Sequence, residues 1–381
     1  MANDAKRQSD DRLRLTRLAR GLSQGDLART AGVTRQAISG IESGRWSPSL
    51  DVALSLATAL DSTVEELFGS AADAPPIRSR LAVAADPPGS ESGEGRLILA
   101  EVAGDLVAFP LTGDHTMVPG FAPALASGPI AVDGADGSGP RPRSARSRDI
   151  EARRIAAPTA TLTVAGCDPA LALLLGPLQR HDPPVSLAWW ATCNANAMEL
   201  LEAGAIHAAA IHRGAEARTR SRPGIEVVGF AGWREGLAFH PRHRGKIRDI
   251  GDVVRLGLRI ANRELGAESR RLLDIELSRL KLEPAHVNGY ASVVNGHLLA
   301  ASAIAAGLAD ASIISEPAAL SYGLEFIPWQ EELSELHIPR SLVGSVEVRA
   351  LLDVLAGREL PAQLGALEGY DPEPCGRILA A

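Results

Sequence analysis

The sequence predicts a multidomain protein with a small all-α head and a large α/β domain, joined by a linker. Three observations predict it. The chain has 381 residues, enough for two or three domains. Apolar residues recur at helical spacing over residues 12–69, with short polar breaks between them. From about residue 158, runs of strand character alternate with runs of helical character. At 45% hydrophobic and 22% charged residues, with mean hydropathy +0.02, wholesale disorder is excluded.

In the head, Ser23 precedes a short helix and Asp26 follows three residues on, a capping-box start. Leu27, Ala28, Ala31, Val33, Ile38 and Ile41 supply a core, and Gly32 permits a tight turn. Thr34 caps a second helix whose outer face carries Arg35, Gln36, Ser39 and Gly40. A helix of this kind fits a major groove, where Arg pairs with guanine and Gln with adenine. Gly21-Leu22-Ser23-Gln24-Gly25 matches the G-x-S-x-G elbow of serine hydrolases. That chemistry needs a strand leading into the serine, and here a helix leads in, so Ser23 is read as a cap.

The stretch LSQGDLARTAGVTRQAISGIESGRWSPSLDVALSLATAL resembles the Cro/repressor-type (XRE) helix-turn-helix family almost continuously. The resemblance implies that Gln24 touches a phosphate and that Thr34, Arg35, Gln36 and Gly40 face the bases. It implies that Ser43 to Arg45 approach the backbone. Gly40 departs from the family, where a longer polar residue is usual. The alternative is a helical bundle used for protein contact. Local charge opposes it, because nine basic and four acidic residues stand between Lys6 and Arg45, about +5 in a chain of net charge −7.

Residues 70–157 are expected to be a linker rich in Pro, Gly and Ser, with a small β element near 96–111. Arg141, Arg143, Arg146 and Arg148 read as part of a solvated tether.

In the α/β region the strand candidates are nearly continuous apolar runs, which suggests a parallel sheet covered on both faces, as one sheet or two lobes. No phosphate loop, dinucleotide fingerprint or H-E-x-x-H motif is present. His207 and His212 bracket a strand at odd spacing, which puts them on opposite faces and argues against a shared metal. His297 stands near a helix start, as a cap or facing a cleft. Four strand-to-helix turns are rich in small and polar residues, and such turns bind ligands beyond the ends of parallel strands. They nominate Cys167, Asp168, Asn194, Asn196, Asn262, Arg263, Ser269, Arg270 and Tyr290 as ligand-binding residues. With no nucleophile or base among these turns, binding is favoured over catalysis, and no catalytic residue, metal or cofactor is expected.

AGCDPALALLLGPL, LEAGAIHAAAIH, Trp233-Arg234-Glu235-Gly236-Leu237, ANRELGAESRRLLD, AAGLADASII and YGLEFIPW resemble, in family order, a known domain. It is the periplasmic-binding-protein-like (type II) domain of cytoplasmic regulators of molybdate metabolism, here over residues 158–376. The resemblance implies two lobes joined by strands crossing near Phe230–Phe239 and Glu325–Trp329, closing on an oxyanion such as molybdate. Cys193 and Asn194 stand where a glycine-serine pair is typical, and Glu268 near a helix start repels anions unless paired. A small organic metabolite bound partly through Asn194, Asn196 and Glu268 is the other ligand considered.

The three cysteines are widely spaced, which points to a reducing compartment. Neither a signal peptide nor an apolar run of the roughly 18 residues a membrane span needs is seen. The combined expectation is a cytoplasmic, homodimeric, ligand-responsive regulator bound to a double-stranded DNA operator. Its rivals are a cofactor-pathway enzyme with a DNA-binding head and a DNA-binding protein whose α/β domain only dimerises.

Overall fold

A computed structural model describes residues 13–14, 16–18, 20–68, 76–82, 95–111, 124–126, 149–155, 159–216 and 222–380. It divides into two compact units, Met1–Thr159 and Ala160–Ala381. The basic tether of Arg141 to Arg148 lies outside the described residues.

In the first unit, helical residues at 13–14 and 16–18 precede α1 (Gln24–Ala31), α2 (Arg35–Glu42), α3 (Leu50–Ala59) and α4 (Val64–Phe68). The Ser23 hydroxyl accepts the Asp26 N–H at 3.1 Å while the Asp26 carboxylate accepts the Ser23 N–H at 3.2 Å, a closed capping box. Gly32 ends α1 at φ 68°, a conformation that favours glycine, and Thr34 caps α2 through the Ala37 N–H. Leu13, Leu27, Ile38, Leu56, Leu60 and Leu67 form a fully buried core. Beside it lies a buried ion pair, with Arg17 Nε 2.6 Å from Glu42 Oε1.

The same unit holds β1 (Ile77–Leu81), β2 (Arg96–Val102), β3 (Asp105–Pro110), β4 (Ala124–Ala126) and β5 (Asp149–Arg154), closed into a barrel in the order β1-β3-β2-β4-β5. β2 and β3 are a hairpin from Leu97↔Pro110 to Val102↔Asp105, turning on Ala103 and Gly104, both at positive φ. The segment expected as a linker thus carries a folded domain. Its outer strands IRSRL and DIEARR are too polar to signal burial, and closure satisfies their backbone groups with a small core of Leu81, Leu97, Leu99, Ala108, Ala124 and Ala152.

The second unit runs β6 (Thr161–Ala165), a 3₁₀ turn (Pro169–Leu174), α5 (Leu175–Arg180), β7 (Ser186–Trp190), α6 (Asn194–Glu202) and β8 (Ala208–Gly214). Then come β9 (Ile225–Phe239), α7 (Ile250–Arg255), β10 (Asn262–Arg263), α8 (Glu268–Arg279), β11 (Val293–Val294), α9 (His297–Ala305) and β12 (Ala311–Ser315). It ends with α10 (Glu316–Ser321), β13 (Glu325–Pro339), α11 (Val346–Ala356), α12 (Glu359–Gly365) and β14 (Ile378–Ala380). The sheet order is β12-β9-β13-β8-β6-β7, with β14 also on β9. Only β6-β7 and β6-β8 are parallel pairs; β9 and β13 are antiparallel to each other, so the sheet is mixed where a parallel one was expected. The reason is the two 15-residue strands that cross from one lobe to the other. The first half of β9 pairs with the last half of β13, which also pairs with β8; the second half of β9 pairs with β12 and the start of β13. Beyond the crossing, Leu237, Phe239, Ile250, Leu273 and Ile313 build one core face, and Ala238, Ala300, Ile304, Ile314 and Ala319 the other. No helix among the described residues is long and apolar enough to cross a membrane.

Asp310 fastens the entry to β12. Burial works against its charge, but Arg242, the Arg259 N–H and His243 outweigh it and hold its carboxyl at about 2. The unfolded value is near 3.9, so this stabilisation is complete above about pH 4 and is lost as pH falls through 2. Allowing for the half-exposed Arg242, about 1–2 kcal/mol is expected. In pH-resolved urea melts Asp310→Asn should flatten this acid limb; an unchanged limb would refute the assignment.

Candidate functional site

The head presents α2 outward. Thr34, Arg35 and Gln36 are exposed at its start, Ser39 is half-buried, and Ser43 and Arg45 are exposed beyond its end. Arg45 Nε donates to Ser43 Oγ at 3.1 Å, which fixes this corner. The Gln24 amide nitrogen donates to Glu42 Oε2 at 2.8 Å, so that group is committed inside the head. Gly40 differs from its expected place facing the bases. It is buried, its carbonyl accepts the N–H groups of Arg45 and Trp46, and a Cβ there would lie 2.5 Å from Trp46 Cε3. Any larger residue there would have to displace the Trp46 ring, which lies on the helix.

In the second unit, polar side chains converge where the crossing strands meet the turn after β6. His212 from β8, Glu235 from β9 and Glu332 and Ser334 from β13 are all at most 3% exposed. His212 Nδ1 donates to Glu332 Oε2 at 3.0 Å and lies 3.5 Å from Glu235 Oε2. Cys167, on the turn after β6, has its sulfur 3.6 Å from His297 Nε2. Asp168 caps the 3₁₀ turn through the Ala170 N–H and accepts from Tyr370 Oη at 2.7 Å and Ser334 Oγ at 3.2 Å. Ser269, on the first turn of α8, donates to Glu235 Oε1. An open cavity of about 420 Å³, lined in part by Trp233, Arg234, Glu316, Glu332 and Tyr370, leads to this cluster.

Burial opposes charge throughout and is overcome unevenly. It disfavours the His212 imidazolium, yet the neighbouring Cys167, Glu235 and Glu332 outweigh it and carry the ring well above the usual histidine range. Burial, with the Arg263 charge, pushes His297 well below that range, so His297 is neutral. Burial raises Glu235 and Asp168. Two trios have donor atoms within 4.8 Å of one another, as a metal ion requires: Cys167, His212 and His297, and His212, Glu235 and Glu332.

Of the residues nominated from the turns, Cys167, Asp168, Arg263 and Ser269 meet in this cluster. Arg263 is 1% exposed and is held by a two-pronged bond to Glu264, with further bonds to Ser269 and His297. Several of the others bond within the scaffold. Asn194 clasps the His212 backbone at both amide atoms, and Asn262 bonds the Tyr290 carbonyl and the Arg263 N–H. Arg270 stacks over the Tyr290 ring, whose hydroxyl donates to Asp274. Asn196 is half-buried on the first turn of α6, and Glu268 pairs with Arg271 on its own helix. Sequence reasoning missed Glu332, Ser334 and Tyr370 and left Glu235 unassigned. The available signal was a carboxylate in the middle of otherwise apolar strand runs, as in GWREGLAF.

The family model of the PBP superfamily domain matches residues 175–356, and the helix-turn-helix model matches residues 13–67. The uncharacterised protein YvgK of Bacillus subtilis (strain 168) is 32% identical over 146 residues, 38% of this chain and 47% of that protein. The chain thus spans about half the length of that relative. An uncharacterised HTH-type transcriptional regulator of Methanocaldococcus jannaschii is 38% identical over 58 residues, 15% of this chain and 88% of its own length. Among solved structures, an ABC-type phosphate transport receptor from Vibrio cholerae is 12% identical, with a TM-score of 0.40 over 55% of this chain and 99% of that one. The chain belongs to the XRE-type helix-turn-helix family and carries a periplasmic-binding-protein-like C-terminal domain.

Proposed function

We propose that the chain is a ligand-responsive transcriptional regulator. It reads a double-stranded operator through α2 and takes a small effector between the lobes of its C-terminal domain. The division into a head at 12–69, a connecting β region at 70–157 and a sensor at 158–376 belongs to this reading. The observation that carries it is the face of α2: Arg35 and Gln36 stand exposed at its start while Ile38 and Ile41 anchor it from behind. A homodimer would place two such helices about 34–36 Å apart, in successive major grooves of a near-palindromic site in the cytoplasm. Regulation requires that the effector favour one of two states of the protein.

Arg35→Ala is expected to weaken specific operator binding by about 1–3 kcal/mol, about fivefold to over a hundredfold, while the melting of the C-terminal domain stays unchanged. An unaltered footprint would remove α2 from the role of reader.

An oxyanion such as molybdate is the effector the family resemblance implies. The Ser315 hydroxyl, buried with no hydrogen-bond partner among the described residues, supports it; the buried carboxylates of Glu235 and Glu332 oppose an anion. An enzymatic reading has one observation in its favour. Cys167 Sγ lies within 4.8 Å of a His212 ring nitrogen and His212 Nδ1 is 3.0 Å from Glu332 Oε2, an order of thiol, imidazole and orienting acid. Rapid alkylation of Cys167 at neutral pH, abolished in His212→Gln, would support that reading.

A further inference from the structure

We infer that His212, Glu235 and Glu332 form a binding site for a divalent first-row transition cation at the base of the inter-lobe cleft. This names the effector class and rests on the reading of that cleft as the effector site. The three side chains come from three adjoining strands, β8, β13 and β9. Their donor atoms are already spaced as ligands: His212 Nδ1 is 3.0 Å from Glu332 Oε2 and 3.5 Å from Glu235 Oε2. Around an ion with bonds of about 2.1 Å, neighbouring donors lie about 3.0 Å apart in octahedral and about 3.4 Å apart in tetrahedral geometry.

The surroundings orient the donors as an outer shell does. Ser269 Oγ holds the far oxygen of Glu235, and Gln330 Nε2 holds the far oxygen of Glu332, so one oxygen of each carboxylate is turned to His212. The Cys167 sulfur lies within 4.8 Å of a His212 ring nitrogen. Glu235 Oε2 is buried with no hydrogen-bond partner among the described residues. His212 Nδ1 lies 3.5 Å away but gives its hydrogen bond to Glu332, so this carboxylate oxygen is left without a direct donor, and a cation seated among the three side chains would supply one. The nearby guanidinium cannot serve, because Arg263 is bound by both prongs to Glu264.

The competing trio of Cys167, His212 and His297 fails on proton placement. His297 Nδ1 accepts the Ser315 N–H at 3.1 Å and an Arg263 N–H at 3.1 Å. The proton of this neutral ring is therefore on Nε2, directed at Cys167, and Nδ1 is already taken by two donors that stay in place. His212 differs: its Nδ1 proton points at Glu332 Oε2, where the ion would sit, so binding replaces that proton and releases it. One imidazole with two carboxylates suits zinc, manganese, cobalt or nickel in the divalent state; magnesium and calcium prefer oxygen alone.

The test uses the full chain, stripped with a chelator and titrated with Co²⁺. One Co²⁺ per chain is expected, with d–d absorption, no sulfur-to-cobalt charge-transfer band, and displacement by Zn²⁺ but not by Mg²⁺. Glu235→Gln and Glu332→Gln, of unchanged shape, should each weaken binding by more than about tenfold. Exposed Glu331→Gln should bind as the parent does. Absence of Co²⁺ binding by the unmodified chain would overturn the site whether or not the variants fold. A strong charge-transfer band would also overturn it, by giving the ion to Cys167. The titration involves no DNA, so its failure is separate from that of the regulator reading, which the Arg35→Ala footprint decides.

Discussion

Glu42→Ala is expected to destabilise the N-terminal head by about 3–5 kcal/mol, a large part of what a domain of this size possesses. Glu42 receives Arg17 Nε at 2.6 Å and Nη2 at 3.1 Å, and the Gln24 amide at 2.8 Å. Truncation leaves the Arg17 guanidinium buried with only the Leu22 carbonyl as a partner from this set, and an unpaired buried charge costs far more than a surface pair contributes. The same change releases Gln24 and the end of α2, so loss of structure there should accompany loss of stability. Urea melts of the full chain, followed by far-ultraviolet circular dichroism and proteolysis within residues 20–68, would show it. A shift under about 1 kcal/mol would reduce the pair to an ordinary surface contact. Glu42→Gln, which keeps the shape and one acceptor, should be milder.

Arg263→Ala is expected to be as severe in the C-terminal domain, about 3–5 kcal/mol. Arg263 heads the fully buried side chains and joins Glu264, Ser269 and His297, residues on three segments around the cleft. Burial would raise the Glu264 carboxyl, and Arg263 outweighs it and holds the group below its usual range. Without the guanidinium, Glu264 must take up a proton or remain an uncompensated charge. The loss should therefore be smaller in acid than at neutral pH, a dependence that a simple packing defect would not show. Arg263→Lys should recover only part of the stability, since an ammonium cannot reproduce the two-pronged bond. Equal denaturation midpoints for parent and Arg263→Ala would refute this account.

The head was legible because its signals are local. Ser23, Gly32 and Thr34 each act within four residues of themselves, and the apolar spacing of α1 to α3 gives the rest. The barrel was illegible beyond its hairpin, because closure by Arg- and Ser-bearing strands depends on pairings more than 70 residues apart, such as Ser79↔Ile150. In the cleft, the turn after β6 and Ser269 could be nominated because helix starts have a local signature. Glu332 and Tyr370 could not, since what distinguishes them is proximity to residues 120 and 202 positions away. Asn194 at a helix start and Asn262 at a strand end bond backbone groups 18 and 28 positions away, pairings that no local pattern displays. Gly40 shows the same limit at short range, because the demand of Trp46 for space is invisible in a helical pattern.

The crossing of β9 and β13 has a mechanical consequence. Glu235 stands opposite Gln330 in the register, and Glu332 opposite Trp233, with irregularities at Pro328/Gln330 and Ser334/Glu335 on either side. Such irregularities bend a strand and increase its twist, so flexure between the lobes is concentrated in the few residues that carry the carboxylates. A guest gripped there sits at the fulcrum of a lever, not at its tips. A shift of a fraction of an ångström between those two side chains becomes, at the far ends of the lobes, a displacement multiplied by the length of each arm.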